Sequence, residues 1–349
     1  MIQYTHEVKD TLKNQKGILA LSKKRLYMVL DTETATLPFA NEIAGGDKEK
    51  KKRIAIARPL IYHLAYTIAN RLGEIYKTVN LVISEIFCVP AIFDTAYYAE
   101  KRPLYIEMLN NGEAQLVSWL DAMRIFEEDL KLVDAVGAFN AMFDFKKAIP
   151  FTELYIKKLY SNDYYNWEEV QKKICYSIAN TNYKKDNDKV FEPDIFNFRG
   201  NKYPLFDLWG LAAEHLLNNS SYKKECLNHG LLTNSGVYFK TSAESTYQYL
   251  CKKYDFVEAH TALDDAIIET FILAKIAKKH AISIGIDYFP FRKLGTTDEF
   301  CMRRKVPNIE ECTIVINAIN SYIDTQEECN NYVMGLINKI AKLEYYMGQ

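Results

Sequence analysis

The chain has 349 residues, enough to bury a substantial core as one large domain with extensions or as two modest domains. Hydrophobic residues make up 48% and charged residues 26%, a balance that predicts a soluble globular protein. The formal net charge of −1 excludes broad, passive coating of polyanions, although it is compatible with action on a single chain end.

The cysteine pattern and the N-terminus favour an intracellular protein. The seven cysteines are scattered and form no CxxC pair, which excludes a disulfide framework and a zinc site of that type. The N-terminal segment MIQYTHEVKD has no apolar signal core, and no apolar run approaches membrane-spanning length. We therefore expect a cytoplasmic location and no membrane association.

The first third of the chain predicts an arm followed by strands. Residues 1–24 are polar and Lys-rich, whereas 25–30 (RLYMVL) is a short apolar run that predicts a buried strand. Two glycines and a charged stretch over 45–53 predict a flexible loop. The apolar runs 61–69 and 79–87 predict two more strands joined by a hairpin connection.

The remainder alternates between helical and apolar segments. Residues 104–132 have helical spacing and lead into an apolar strand over 133–140. The Tyr-, Asn- and Lys-rich segment 151–203 predicts an insertion packed on the core. Helices are predicted from Asp207 and over about 263–280.

These elements predict an α/β class with three layers and a defined domain order. Strands come first and helices are interleaved later, as expected for a three-layer α/β or α+β domain. We predict an N-terminal arm (1–24), a catalytic-type domain (25–285) and a helical C-terminal extension (286–349). In the last segment, apolar residues repeat at near-heptad spacing (Cys329, Val333, Leu336, Ile340 and Leu343). A helix packed on its own domain explains this repeat, and a homodimer through the C-terminal helices is the alternative.

A pair of carboxylates ends the first predicted strand. Asp31 and Glu33 are two residues apart, so on a strand their side chains point to the same face. Neighbouring anions repel each other unless a cation joins them, and hard oxygen ligands suit Mg²⁺ or Mn²⁺. By itself the pair is better explained as a solvated strand end.

A second acid follows the strand over 133–140. Asn140 is placed to cap the next helix, which puts Asp144 in the first helical turn near the carboxyl end of the strand. The alternative role of Asp144 is to complement the helix dipole.

The third motif precedes the helix over 263–280. Thr261 and Asp264 have the spacing of a capping box, which gives Asp264 a structural role and leaves Asp265 to face the cleft. His260 lies just before the helix on an approach that we expect to be mobile. A histidine at such a position is usually a surface or capping residue.

Together, the three segments supply what two-metal phosphodiester hydrolysis requires. Two cations about 4 Å apart stabilise the attacking and leaving oxygens. The near-neutral pKa of a histidine allows it to take a proton from the attacking water. Asp31, Glu33, Asp144 and Asp265 are the candidate metal ligands, and His260 is the candidate general base.

The segments VLDTET, AFNAMFD and AHTALDDA, in this order, resemble the three motifs of the DEDDh 3′–5′ exonuclease superfamily. That superfamily includes polymerase proofreading subunits, ribonuclease T and oligoribonuclease. The resemblance runs from about Arg25 to His280. Its HxAxxD pattern selects Asp265 over Asp264, and the histidine at position 260 indicates the His-type branch.

The resemblance implies a ribonuclease H-like fold with a mixed five-stranded sheet flanked by helices, and two Mg²⁺ or Mn²⁺ ions. It implies that Asp31 bridges both ions, with Glu33 and Asp265 on the ion that activates water. Asp144 supports the second ion and His260 is the base. The implied reaction is hydrolysis at the 3′ end of single-stranded DNA or RNA, with release of nucleoside monophosphates.

Substrate contacts and substrate choice are less constrained. Phe39 follows the first motif and is a candidate wedge against the terminal base, with coverage of the core edge as the alternative. Thr32 and Asn140 lie beside the motif acids and are the other candidate contacts. The loop over 36–60, the insertion over 151–203 and the C-terminal tail depart from compact family members. An oligonucleotide or dinucleotide hydrolase and a non-catalytic nucleic-acid- or protein-binding module remain alternative functions.

Overall fold

The computed structural model describes residues 25–180, 195–279 and 298–307, with single residues between 313 and 344. The predicted arm over 1–24 and the predicted boundary at 285/286 lie outside these residues. The chain divides into two compact units. The first comprises 1–211 and 257–293, and the second comprises 212–256 and 294–349.

The first unit contains the strands of one mixed sheet with the order β4-β3-β2-β1-β5-β7-β6. Strand β2 is antiparallel to both β1 and β3, whereas β1, β5 and β7 run parallel to one another. In the described residues the strands are β1 (Leu26–Ala35), β2 (Leu60–Asn70), β3 (Ile75–Ile83), β4 (Gln115–Val117), β5 (Ala135–Ala138), β6 (Ile195–Phe198) and β7 (Asn201–Asp207).

The prediction of five strands is wrong, because the sheet has seven strands within the described residues. The predicted elements include β1, β2, β3 and β5 but not β4, β6 and β7, and the edge strands β4 and β6 have only three and four residues. Runs this short carry too little alternation to be distinguished from loops in the sequence. Strand β6 also lies inside the segment that was predicted to be an insertion. The α/β class with helices flanking a mixed sheet is confirmed.

Strand β2 shows how the sheet is covered. All eleven of its residues are buried, although successive side chains on a strand point to opposite faces. Both faces of the sheet are therefore covered at β2, which explains the nearly continuous apolar run in the sequence. The helix over 262–279 packs on β1 and β2.

Helices connect the strands and cover the sheet. A 3₁₀ turn (Ala99–Lys101) precedes α5, and a π-helical segment (Asp144–Ala148) joins α7 to α8. The α-helices of the described residues are α1 (Ala40–Ala44), α2 (Lys48–Ala57), α3 (Ser84–Phe87), α4 (Pro90–Phe93), α5 (Arg102–Asn110), α6 (Trp119–Leu130), α7 (Ala141–Phe143), α8 (Ile149–Leu159), α9 (Tyr164–Asn180), α10 (Leu208–Leu217), α11 (Ser220–His229), α12 (Ala243–Cys251), α13 (Ala262–Lys279) and α14 (Asp298–Arg304).

The flexible loop predicted over 45–53 is a helix for most of its length. Asp47 caps α2 by accepting hydrogen bonds from the backbone N–H groups of Glu49 and Lys50. Lys48, Glu49 and Lys52 are exposed, whereas Ile54 is fully buried. A run of Lys and Glu is compatible with a helix as well as with a loop, and the cap decides between them.

In the second unit, described residues near the C-terminus pack within the chain. Ile316, Ile319 and Ile340 form a small buried cluster. Ile340 is the only residue of the predicted heptad series that is among the described residues, and it takes part in this intrachain contact. The homodimer stays a prediction.

None of the helices in the described part of the chain combines the length and the apolar composition needed to cross a bilayer.

Candidate functional site

Asp31 and Glu33 lie on the part of β1 that has separated from β5. Within the described residues, β1 pairs with β5 from Tyr27 to Val29 and continues beside β2 as far as Ala35. The strand was predicted to end at Glu33 but continues for two more residues, so both acids lie inside the strand and not at its end. Because β1 separates from β5, the side chains of Asp31 and Glu33 lie beside a gap in the sheet. Other elements place further acids at this gap.

A β-bulge adjoins Glu33. Glu33 pairs with His63 and Thr34 pairs with Ile61, so Tyr62 is an extra residue on β2. Bulges increase local twist and change the direction in which nearby side chains point. The bulge thus separates the acid-bearing part of β1 from the end of the strand. No sequence signal in β2 predicted it.

Asp144 reaches the site from the turn after β5. Asn140 at this turn has φ 84°, in the left-handed region that asparagine tolerates better than most residues. The predicted side-chain cap is wrong, because the Asn140 side chain makes no capping hydrogen bond to α7. Asp144 begins the π-helical segment and is 3% exposed. The Thr32 hydroxyl donates a 2.6 Å hydrogen bond to Asp144 Oδ1, which joins the first and second motifs.

Asp265 comes from the first turn of α13. The predicted capping box is confirmed, since the Thr261 hydroxyl donates to Asp264 Oδ2 at 2.6 Å and accepts from Asp264 N–H. Asp264 is exposed, whereas Asp265 is 9% exposed. The two adjacent acids therefore point in different directions, as the spacing predicts for neighbouring residues on a helix.

Three of the predicted ligands converge. One carboxylate oxygen from each of Asp31, Glu33 and Asp265 lies within 4.8 Å of the other two. Burial, followed by the charge of Glu269, raises the pKa of Asp31 well above its ordinary value. Burial and the charge of Asp265 raise the pKa of Glu33 to about 8. A divalent cation offsets both burial and repulsion, and hard oxygen donors suit Mg²⁺ or Mn²⁺, so the donor set fits such an ion.

Asp144 lies beside this group and is not one of its three members. Burial raises the pKa of Asp144 to about 7, although the hydrogen bond from Thr32 opposes that rise. The charge of Asp144 also raises the pKa of Asp31. The two acids are therefore close enough for electrostatic coupling, on the side of Asp31 that faces the turn after β5.

Two further buried carboxylates adjoin the site, and the sequence analysis missed both. Glu269 is 3% exposed, accepts a 3.2 Å hydrogen bond from Phe139 N–H, and has a pKa raised by burial and by the charges of Asp144 and Asp265. Asp207 is 4% exposed and accepts hydrogen bonds from three backbone N–H groups, including that of Asn140 at 3.3 Å. Together they fix the turn that carries Asp144.

The missed acids had recognisable signals. Glu269 is four residues after Asp265 and therefore lies on the same face of the helix. Asp207 ends the apolar run of β7 in the same way that Asp31 follows the apolar part of β1. In the sequence, Asp207 was interpreted only as the start of a helix.

His260 lies in the segment before α13, with 34% of its side chain exposed. Its backbone has φ 48°, in the left-handed region. Its ring stacks on Tyr98 with a centroid distance of 4.7 Å, and its Nδ1 lies 3.8 Å from Glu258 Oε2. Burial, followed by the charge of Glu33, raises the pKa of Tyr98, so this aromatic pair lies near the carboxylates.

The candidate substrate residues have different surroundings. Phe39 is 7% exposed and packs in the core, with the Lys172 ammonium 5.7 Å from its ring centroid. Thr32 is engaged with Asp144. The Asn140 Oδ1 atom is buried without a hydrogen-bond partner among the described residues. Of the three, Asn140 is the residue with an unused polar atom beside the acids.

Comparison with known proteins identifies no relative: no protein-family model, no curated protein and no solved structure matches the chain. The chain is therefore defined by its own architecture. It is an α/β protein with a seven-stranded mixed sheet and a partly buried carboxylate cluster beside the β1–β5 gap.

Proposed function

We propose that this protein is a two-metal-ion 3′–5′ exonuclease that acts on the 3′ end of single-stranded nucleic acid and releases nucleoside monophosphates. The proposal rests on the three DEDDh-like motifs and on one structural observation. Carboxylates from motifs far apart in the sequence, Asp31 with Glu33 and Asp265, meet within 4.8 Å.

The chain's own residues divide the tasks of the reaction. Asp31, Glu33 and Asp265 are the residues that would hold one cation, and Asp31 with Asp144 would hold the other. When bound, such a pair of cations stabilises the charge on the attacking and leaving oxygens of a phosphodiester. The hydrogen bond from Thr32 fixes one oxygen of the Asp144 carboxylate, whose charge acts on Asp31.

His260 supplies the group that accepts a proton from the attacking water. An imidazole has an ordinary pKa near neutrality, and the His260 side chain is one-third exposed. The buried carboxylates are poorer candidates for this role, since their oxygens are directed at one another and suit a cation.

The decisive experiment is an end-labelled nuclease assay. The purified full-length chain is incubated with single-stranded DNA, single-stranded RNA, matched duplexes and a dinucleotide, with Mg²⁺ or Mn²⁺. We expect mononucleotides released stepwise from the 3′ end of single strands, and no product in excess chelator. Since a ligand that binds the native state stabilises it, the same cations are expected to raise the thermal unfolding temperature.

The outcomes separate the proposal from its rivals. Cleavage of the dinucleotide alone would identify an oligonucleotide hydrolase. Binding without cleavage of any substrate would identify a non-catalytic module. Hydrolysis that persists in excess chelator would overturn the two-metal proposal.

A further inference from the structure

The segment that carries His260 has a conformation that requires outside support. The φ of 48° places a non-glycine residue in the left-handed region, which costs about 1–2 kcal/mol. Such conformations persist only where surrounding contacts fix them, and they cluster at functional sites. The contacts around His260 therefore indicate what keeps the ring in place.

Lys101 contacts the backbone of this segment. Its ammonium donates a 2.5 Å hydrogen bond to the carbonyl oxygen of Ala259 and a 3.3 Å hydrogen bond to that of His260. Two consecutive carbonyl oxygens that share one donor cannot rotate independently. Lys101 thereby restrains the backbone angles on both sides of the histidine.

Tyr98 contacts the imidazole itself. The two rings stack with an interplanar angle of 16°. The Lys101 ammonium also contacts Tyr98, at 4.4 Å from the ring centroid. A stacked neighbour covers the face of an imidazole but not the ring edge, where the nitrogens lie and where proton transfer takes place. Tyr98 and Lys101 come from one short segment that ends in the 3₁₀ turn before α5, so they form a single support.

We propose that Tyr98 and Lys101 are positioning residues that hold His260 in its left-handed conformation and orient its imidazole for proton transfer. The inference rests on the proposed function, because it takes His260 as the general base. Neither residue is assigned to the substrate or to a cation. Lys101 is engaged with main-chain oxygens, although its charge also lowers the pKa of Glu33, and Tyr98 acts through its ring face.

The first test is a double-mutant cycle in single-turnover cleavage. Tyr98→Leu and Lys101→Met are each expected to slow cleavage roughly 10- to 100-fold, the size of effect that a misplaced group produces. In a His260→Ala background, the same substitutions are expected to slow cleavage no further, because the group they position is absent. Substrate and cation affinities should stay within a few-fold of the parent.

Three controls define the interpretation. Tyr98→Phe keeps the stacked face and loses the hydroxyl, so it should cleave within a few-fold of the parent. Lys101→Arg keeps a cationic donor and should recover part of the rate. Tyr165→Leu changes a tyrosine of α9 that is 75% exposed and should have no effect. If Tyr98→Leu or Lys101→Met slows the His260→Ala variant as much as the parent, both residues act independently of His260 and the proposal is overturned.

The second test needs no activity, so it distinguishes this inference from the proposed function. The sequence has six histidines, and His260→Ala identifies the ring resonance of His260 in a ¹H–¹³C spectrum. The ring current of Tyr98 should displace that resonance, and Tyr98→Leu should remove the displacement while Tyr98→Phe retains it. A His260 resonance that Tyr98→Leu leaves unchanged would overturn the inference even in an active enzyme. If the resonance changes as expected but the protein has no hydrolytic activity, the contact of Tyr98 with His260 is supported and only the exonuclease proposal is rejected.

Discussion

The carboxylates and His260 belong to one site but are fixed by different kinds of contact. The carboxylates lie on a strand, a π-helical segment and a helix whose links are internal, such as the hydrogen bond from Thr32 to Asp144. His260 lies in a segment fixed by side chains near the surface, Tyr98 and Lys101. Because the carboxylates are fixed by internal contacts, we expect changes to them to affect folding and cation binding together. Changes to His260 should affect the rate and leave cation binding unchanged.

The internal links are clearest at the start of α13. His63 is fully buried on β2, and its Nδ1 accepts a 3.2 Å hydrogen bond from Ala262 N–H. Because Nδ1 is an acceptor, the ring proton is on Nε2, which donates to Asn80 Oδ1. Asn80 in turn donates to the carbonyl oxygen of Glu113. A chain of buried polar groups thus connects the interior of the sheet to the helix that carries Asp265.

The largest effect is expected from Asp265→Asn. Removing one of three converging carboxylates weakens the cation site, so we expect cleavage to fall by about 10³–10⁴-fold, equivalent to several kcal/mol of transition-state stabilisation. Cation affinity, measured by calorimetry, should fall as well. Unchanged affinity would place Asp265 outside the cation site. It would also contradict the expectation that changes to the carboxylates affect cation binding.

His260→Ala is expected to slow single-turnover cleavage by roughly 10²–10⁴-fold, the usual range for loss of a general base. Cation affinity should remain within error of the parent, because all four carboxylates are unchanged. Single-turnover rates across pH, beside a cation titration of the same variant, measure both. Lost cation affinity would make His260 a ligand, and a parental rate and pH profile would exclude it as the base.

A pH effect on stability is expected from His63. Burial lowers the pKa of His63 from 6.5 to about 4. Between these values the unfolded chain binds a proton that the folded protein does not, so stability falls as the pH decreases from about 6.5 to about 4. The loss is on the order of 3 kcal/mol.

The matched variant for this prediction is His63→Gln, which does not titrate in that window. Urea unfolding of both proteins at pH 7 and pH 4.5 gives the comparison. Carboxylates with raised pKa values act in the opposite direction, but they are present in both proteins and cancel. An equal pH dependence in parent and variant would show that His63 does not control it.

The smallest effect is expected from Asp264→Asn, at the position next to Asp265. Asp264 is exposed and serves the capping box with Thr261, so its loss should cost about 0.5–1 kcal/mol of stability. Cleavage should be near the parental rate. If this variant is inactive and Asp265→Asn is active, the assignment of the third motif is shifted by one residue.

Local sequence patterns predicted the parts of the site that depend on local geometry. The two-residue spacing of Asp31 and Glu33 predicted a shared strand face, and the Thr261–Asp264 spacing predicted the cap that is present. Tertiary contacts determine the rest. The bulge at Tyr62 arises from strand pairing, and the burial of Glu269 arises from the packing of α13 on the sheet.

The support for His260 shows the same limit. Tyr98 and Lys101 are far from His260 in the sequence and belong to a short surface segment without a motif. The segment before α13 was expected to be mobile, and that expectation was based only on the residues next to His260 in the sequence. Contacts between distant segments cannot be inferred from one sequence without covariation. The edge strands β4 and β6 were missed for a simpler reason, since three or four residues give no usable period.

The π-helical segment at Asp144–Ala148 has a consequence for how this chain tolerates length changes. A π turn contains one residue more than an α turn, and each residue of an α-helix advances about 100° around the axis. The extra residue therefore changes the angle around the helix axis between Asp144 and the buried residues of α8, such as Thr152 and Tyr155, from the angle that a regular α-helix would give. Deleting one residue here would restore a regular helix but turn either the acid or the packing face away from its partners. Point substitutions leave that angle intact, so this stretch should accept changes of residue type far more readily than changes of length.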